Sequence, residues 1–426
     1  MRRVKSSGVD RRPWADYALV FLAAFALAIG WFARLYRLGF PPRQIWDEIY
    51  FPVYARDYLN GTPFFDLHPP LGKFIIAAGI ALVGDTPFGW RLMPALFGCA
   101  MVPIAAVLGW YYFKERVGAL LLGTFIACET MLIVYSRTGL MDGILVFFVL
   151  ATFLATLRVE RREQILWPMV LLGLTVAVKW AAFPLAVPVG YVLWRRGFLK
   201  PFLLTLWVPM IVYLSVVFLG QVVNPTGAGR FFNDNNPFAN VIRWHRQALA
   251  NVSKAVPNAQ ASPWWSWPLM TRPILLFYQE YATGKVATVF AIGNPLVWWA
   301  STCAVVAGIF ELWWRGAVRG RPILDHPLMP ILLGYVFLML PWLPGTRIPF
   351  IYNYLPVYPF AILALVYWLC RLWRYRWWGP WVVVAFAACA VVAALYYLPL
   401  TMSVPISHES LRQHIWFGSW DHALFD

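Results

Sequence analysis

Apolar runs long enough to cross a hydrocarbon core recur between residues 15 and 398, with short clusters of Arg and Lys between many of them. A run of about 20 apolar residues is what a helix needs to span a bilayer. Within the hydrocarbon such a segment must close its own backbone hydrogen bonds, which a helix does. The sequence therefore reads as an all-α polytopic membrane protein. Composition agrees, with 61% of the 426 residues hydrophobic and 13% charged, far from the balance of a soluble domain. A net charge of +16 would suit a nucleic-acid partner in a soluble chain. Here the basic clusters occupy connections between spans, as in cytoplasmic loops. Membrane lipids, and not nucleic acid, are the expected surroundings.

The spans are expected at 15–36, 88–112, 117–136, 139–157, 165–179, 182–194, 201–221, 288–313, 328–343, 351–370 and 378–398, about 11 transmembrane helices. "MRRVKSSGVDRRPW" precedes the first, and no small-residue cleavage site follows it. It reads as the cytoplasmic flank of an uncleaved anchor. The inner connections then hold Lys114/Arg116, Arg158/Arg161/Arg162, Arg195/Arg196/Lys200, Arg315/Arg319/Arg321 and Arg371/Arg374/Arg376. If residues 165–194 crossed only once, without a turn at Lys179, everything downstream would invert. The recurring basic clusters keep the eleven-span phase to the end. This gives a membrane region at 1–221 with a first external loop at 37–87, and an external Trp-rich loop at 222–287. A second membrane region at 288–400 and an external tail at 401–426 follow. The expected location is the inner (plasma) membrane, with functional residues on the periplasmic or external side. In the first loop, "IYFPVYARDYL" and "LGKFIIAAGIALVG" have the pattern of interfacial helices.

That loop contains "WDEIYFPVYARDYLNGTPFFDLHPPLGK", which gathers Asp47, Glu48, Asp57 and Asp66 from a chain with only 19 acidic residues. Each has a structural reading. Asp47 precedes an apolar helical pattern and suits an N-cap. Asp57 beside Arg56 reads as solvated, Asp66 as a cap for a helix starting near the Pro-Pro pair, and His68 as a polar loop residue. Arg91, Glu129, Arg137, Asp142, Lys179 and Arg347 lie at the same face or within the spans. Charges there are costly unless paired or facing an aqueous cavity, so a structural pair such as Glu129–Arg137 is one account of them. Taken together they describe an external cavity with a carboxylate pair at its rim and cations around it. The five cysteines fall in or beside apolar runs without metal spacing, and the six histidines are scattered. No cofactor is required; carboxylates alone would permit Mg²⁺ or Mn²⁺ without demanding either.

Transfer of a sugar from a lipid phosphate to a hydroxyl needs this combination. A carboxylate takes the hydroxyl proton as the oxygen attacks the anomeric carbon. The leaving phosphate needs cations rather than a general acid, and Arg and Lys supply them. A single displacement inverts the anomeric centre, and a polyprenyl tail keeps the site at the membrane interface.

The same residues carry a likeness. "WDEIYF…YLNGTPFFDLHPPLGK" resembles the first external loop of protein O-mannosyltransferases, dolichyl- or polyprenyl-phosphate-mannose-dependent enzymes of the C-type glycosyltransferase fold. "RLMPALFG", "SRTGLMDGILVFF", "GLTVAVKWAAF", "SPWWSWPLMTRPI", "GNPLVWWA" and "RIPFIYNYLPVYPFAIL" continue the likeness in order to about residue 370. The resemblance implies that Asp47 is the base that activates the acceptor hydroxyl, with Glu48 positioning the acceptor or setting the charge of Asp47. It also implies that Arg91, Arg137, Lys179 and Arg347 hold the donor phosphate. Arg137 has the alternative of pairing with Asp142 or Glu129. Asp66, His68, Glu129, Asp142, Asn353 and Tyr354 would then line or support the cleft. Trp264, Trp265 and Trp267 read either as interfacial anchors or, Trp265 among them, as part of a sugar or peptide cleft. Two departures stand out. Asn353 occupies a position where the family often has His, so no titrating group remains there. The 222–287 loop is too short for the β-trefoil insertion of eukaryotic members, which places the likeness closer to short bacterial ones.

The implied donor is a polyprenyl-phosphate-mannose lipid and the implied acceptor a Ser or Thr of a secreted protein. A lipid or glycan acceptor, as in transferases that modify lipid A, keeps the same donor chemistry. A transporter of the lipid-linked sugar is a separate class, but it favours paired halves about a midplane site. Here the charges gather in the external half and no half-to-half symmetry is visible. A dimer is neither required nor opposed by the sequence.

Overall fold

The first apolar run forms α1 (Pro13–Leu35), and the connection after it supplies α2 (Phe51–Asn60) and α3 (Leu71–Val83). The bundle continues through α4 (Pro87–Phe113), α5 (Arg116–Cys128), α6 (Thr130–Ser136), α7 (Asp142–Leu157), α8 (Leu166–Val178), α9 (Ala186–Arg195), α10 (Leu199–Leu204) and α11 (Trp207–Val223). α12 (Pro237–Val252) lies in the long connection between α11 and the sheet. α13 (Pro295–Trp313), α14 (Leu328–Met339), α15 (Tyr358–Trp373), α16 (Gly379–Thr401) and α17 (His408–His414) complete the helices. This computed structural model describes residues 13–223, 236–252, 258–344 and 349–423. Among them, five helices are long and apolar enough to cross a membrane, or six if the bent pair α5–α6 is one span. Helix length therefore does not by itself give the expected eleven crossings, because several of those segments are shorter apolar helices.

Burial separates the centre of the bundle from its lipid-facing rim. α6, the start of α7 and the first half of α15 are buried on all sides. α1, α4, α11, α13 and α16 instead expose apolar side chains such as Phe21, Leu96, Ile211, Phe310 and Val392. At Lys179 the chain doubles back. α8 ends there, and a 3₁₀ turn (Trp180–Leu185) leads into α9. Arg196, after α9, donates to the carbonyls of Leu157 (2.7 Å) and Val159 (3.1 Å) at the end of α7.

One small sheet was not indicated by the helical patterning. β1 (Ile274–Glu280), β2 (Lys285–Ala291) and β3 (Ile406–Ser407) pair antiparallel in that order. The span expected at 288–313 thus begins as a strand, and its helix starts only at Pro295, capped by the Asn294 side chain. Val286, Thr288 and Val289 suit a pleated, buried strand. β2 is fixed to the end of α16 by Thr288 Oγ1 donating to Leu400 (3.1 Å) and Ser403 N donating to Thr288 (3.1 Å).

The sharpest local feature is the 63° bend between α5 and α6. Breaking a helix releases carbonyls that hydrocarbon cannot satisfy. Arg34, fully buried on α1, donates to Ile126 (3.2 Å) and Ala127 (3.3 Å), and Asn294 Nδ2 donates to Cys128 (3.2 Å). Glu129 occupies the break. Its carboxylate accepts from Met131 N (3.2 Å), Asn294 N (3.0 Å) and the Tyr358 hydroxyl (2.8 Å). Glu129 therefore caps α6 and fastens it to α13 and α15, and the Glu129–Arg137 pair considered from the sequence does not form. Arg34→Met should lower the thermal unfolding midpoint in detergent, since each orphaned buried carbonyl costs about 1–3 kcal/mol. An unchanged midpoint would show that the bend needs no such partner.

Candidate active site

The candidate site is built around two adjacent carboxylates with opposite surroundings. Asp47 and Glu48 lie in a 3₁₀ turn (Trp46–Ile49) that leads into α2. α2 itself starts from Tyr50 without a side-chain cap, so Asp47 is not its N-cap. With about three residues per turn, neighbouring side chains diverge widely. Glu48 points inward and is completely buried, while Asp47 stays partly exposed. The Glu48 carboxylate receives Arg91 Nε (2.8 Å) and Nη2 (2.7 Å) as a two-pronged ion pair, and also the N–H groups of Ile45 (3.0 Å) and Gly139 (2.7 Å). Gly139 must be glycine for this approach. A Cβ there would lie 2.8 Å from Trp90 and 2.9 Å from Pro52. Trp46, just before Asp47, takes a left-handed backbone conformation (φ 49°), a strained choice for a bulky residue that the anchored Glu48 holds in place.

Arg91 has no donor left for a ligand. Its other N–H groups reach the carbonyls of Leu38 (3.2 Å), Pro41 (2.9 Å) and Arg43 (3.0 Å), so all five are engaged within the protein. The phosphate-binding role expected for Arg91 gives way to a structural one. Arg137 is likewise buried, with Nη1 on Thr401 O (3.2 Å) and Nη2 on Tyr36 O (2.9 Å). It ties the α6–α7 corner to the ends of α16 and α1 through these carbonyls, and forms no ion pair with Asp142 or Glu129. Arg347 lies outside the described residues.

Lys179 is buried beside a carboxylate and an aromatic face. It sits at the break after α8, with Nζ 2.8 Å from Asp142 in the first turn of α7 and 5.4 Å from the centre of the Tyr352 ring. Tyr352 packs on Tyr135 (ring centres 5.7 Å apart) and stacks on Phe350 (5.3 Å), which in turn packs on Trp46 (6.1 Å) beside Asp47. The candidate site therefore runs from the turn that carries Asp47, along these rings, to the Asp142–Lys179 pair. α4, α7 and α15 all begin at this end of the bundle and finish at Lys114, Arg158 and Arg374.

The remaining expected residues divide between support and surface. Asp66 does not cap α3. It pairs with buried Lys73 (2.5 Å), which also donates to His68 O (2.6 Å), and this locks the Pro-Pro loop. The His68 ring packs 5.9 Å from Phe51. Tyr354 is fully buried, its hydroxyl on Tyr335 (3.3 Å), and Asn353 is buried beside it. The Trp-rich stretch splits: Trp265 is 62% exposed, whereas Trp267 is wholly buried and bonds Ser262. Sequence reading missed α12 as a brace. Trp244 Nε1 donates to Asp66 O (2.8 Å), and His245 Nε2 meets the Tyr213 hydroxyl (2.7 Å), which also accepts from Trp180 Nε1 (2.7 Å). Trp180 follows Lys179 directly, so α12 steadies both the Asp66 loop and the Lys179 break. Lys73 was within the quoted motif, and its distance from Asp66 in the chain was the available clue. Among the described residues no three His, Cys, Asp or Glu side chains converge to hold a metal ion.

Two family models match consecutive parts of the sequence. Dolichyl-phosphate-mannose-protein mannosyltransferase covers residues 24–232, and the C-terminal four-transmembrane region of protein-O-mannosyltransferase covers residues 237–420. The chain belongs to the protein O-mannosyltransferase family. A polyprenol-phosphate-mannose–protein mannosyltransferase of Mycobacterium tuberculosis is 26% identical, over 97% of this chain and 93% of that one. Its Corynebacterium glutamicum counterpart is 26% identical over 88% and 86%. Among solved structures, the Saccharomyces cerevisiae Pmt1–Pmt2 complex bound to the sugar donor shares the fold with a TM-score of 0.82, at 17% identity and 96% and 93% coverage. ArnT from Cupriavidus metallidurans bound to undecaprenyl phosphate follows at 0.52, with 17% identity and 95% and 76% coverage. The fold class expected from the sequence, a C-type glycosyltransferase, is thus the one observed.

In this O-mannosyltransferase the Glu48–Arg91 pair has a direct test. Arg91→Ala should cost about 3–5 kcal/mol, because it leaves a buried carboxylate unpaired, and should sharply reduce the folded fraction on size exclusion. Arg91→Lys should fall between, since an ammonium cannot reproduce the fork. A fully folded Arg91→Ala protein that had lost only donor affinity would restore the phosphate-binding role.

Proposed function

We propose that this protein moves mannose from a polyprenyl-phosphate-mannose donor to Ser or Thr hydroxyls of exported proteins, with inversion at the anomeric carbon. Family membership supports the reaction, as do the mycobacterial and corynebacterial polyprenol-phosphate-mannose–protein mannosyltransferases that align over most of their length. The observation that carries the assignment of roles is the contrast between Asp47, partly exposed at the rim, and Glu48, buried and fully bonded beside it. Asp47 accepts the proton of the acceptor hydroxyl as its oxygen bonds to the anomeric carbon. The carbon–oxygen bond to phosphate breaks, the electron pair leaves with the phosphate, and the Lys179 ammonium offsets its charge. Arg347 is the second candidate for that task. Glu48 and Arg91 act through Asp47 by fixing the turn that carries it. The steps use no cofactor, and any divalent cation would be an addition to them.

The site faces the outside of the plasma membrane and the N-terminus lies in the cytoplasm. In support, α4, α7 and α15 run from the site end to basic residues, which mark the cytoplasmic side. The yeast structure is a Pmt1–Pmt2 complex, which makes a dimer worth testing here. Purified protein with labelled polyprenyl-phosphate-mannose should label Ser/Thr peptides, and Asp47→Asn should reduce transfer at least about a hundredfold while retaining donor binding. Equal transfer by both proteins would remove Asp47 as the base. Transfer to lipid but never to peptide would move the acceptor to the lipid or glycan class.

A further inference from the structure

Tyr135 is 1% exposed, yet its hydroxyl has no hydrogen-bond partner. Buried polar groups are nearly always bonded, so an orphan beside a reactive centre calls for an explanation. Its neighbours on the same corner are satisfied: Ser136 Oγ donates to Leu132 O (2.5 Å) and Thr138 Oγ1 to Val134 O (3.0 Å). Other buried tyrosines, Tyr354, Tyr358 and Tyr397, also bond through their hydroxyls. Tyr135 stands apart because of where it lies. Its ring packs on Tyr352, with centres 5.7 Å apart. Lys179 lies against the same Tyr352 ring and bonds Asp142. Tyr352 also stacks on Phe350, which packs on Trp46, the residue before Asp47. The orphaned phenol is thus one aromatic ring away from the Lys179–Asp142 pair and two from the turn that carries Asp47. A neutral phenol finds its strongest partner in an anionic oxygen, and a lipid phosphate is the anion the proposed reaction brings.

We propose that the Tyr135 hydroxyl donates a hydrogen bond to a non-bridging phosphate oxygen of the lipid-linked donor, beside Lys179, and so is a donor-binding residue. This rests on the mannosyltransferase reading of the site. The bond strengthens as the leaving phosphate gains charge, so it contributes to the chemical step as well as to binding. Tyr135→Phe removes only the oxygen and keeps the ring against Tyr352. The full-length purified variant should bind sugar-free undecaprenyl phosphate about tenfold more weakly, equivalent to ~1.4 kcal/mol. Mannosyl transfer should fall at least as far, with a thermal midpoint unchanged or raised.

An unchanged affinity for undecaprenyl phosphate overturns the proposal, even if transfer falls, because the contact would then be to sugar or acceptor. A lowered midpoint with unchanged affinity overturns it in favour of a packing role, and no binding by the wild-type protein also overturns it. Wild-type protein that binds undecaprenyl phosphate Tyr135-dependently but transfers no mannose would instead sink the mannosyltransferase reading and leave this contact standing.

Discussion

The ion pair between Glu48 and Arg91 joins three parts of the chain that are far apart in sequence: the 3₁₀ turn before α2, the start of α4, and the corner at Gly139. Desolvating two charges is expensive, and their attraction offsets it only when the geometry is close and the remaining donors and acceptors are met. Both conditions hold. The carboxylate receives four N–H groups and the guanidinium uses all five of its own. A turn pinned this firmly can hold Trp46 in a strained conformation and keep Asp47 oriented differently from its neighbour. The orientation of one carboxylate thus depends on the fully bonded state of the next.

The same economy of charge recurs through the bundle. Arg34 and Glu129 make a sharp bend tolerable where water cannot reach the backbone, and Arg137 fastens a corner through carbonyls alone. Intramembrane charges invite a functional reading, and here Arg34, Arg137 and Glu129 are bonded within the bundle. Lys179 differs because its ion pair with Asp142 is joined by the face of Tyr352. The broken helices fit this pattern, since irregular backbone at depth survives only where protein groups satisfy it.

The long connections complete the candidate site. α12 reaches back through Trp244 to the Asp66 loop and through His245 to the Tyr213–Trp180 pair. The carbonyl of Asp66 and the residue after Lys179 are therefore held by one element. A motion of α12 would reach the Asp66 loop and the Lys179 break together, a coupling that rigid hydrogen-bonded contacts transmit.

The sequence by itself determined the class of the molecule and indicated the reversal at Lys179, because a bilayer imposes apolar length and charge asymmetry locally along the chain; the family came separately, through the motifs of the first loop and those that follow it to about residue 370. It also located the stretch that matters, since carboxylates are scarce here and four of them fall between residues 47 and 66. It did not show that Glu48 is buried against Arg91 while Asp47 stays partly exposed, nor did it separate Lys179 from Arg91, as these look alike in a one-dimensional pattern. Nor did it show the short sheet, whose third strand comes from residues 406–407, or the orphaned hydroxyl of Tyr135. Those were decided by tertiary structure. Whether a buried charge becomes scaffold or reagent depends on which distant N–H and C=O groups arrive within about 3 Å of it. No periodicity in the chain records that.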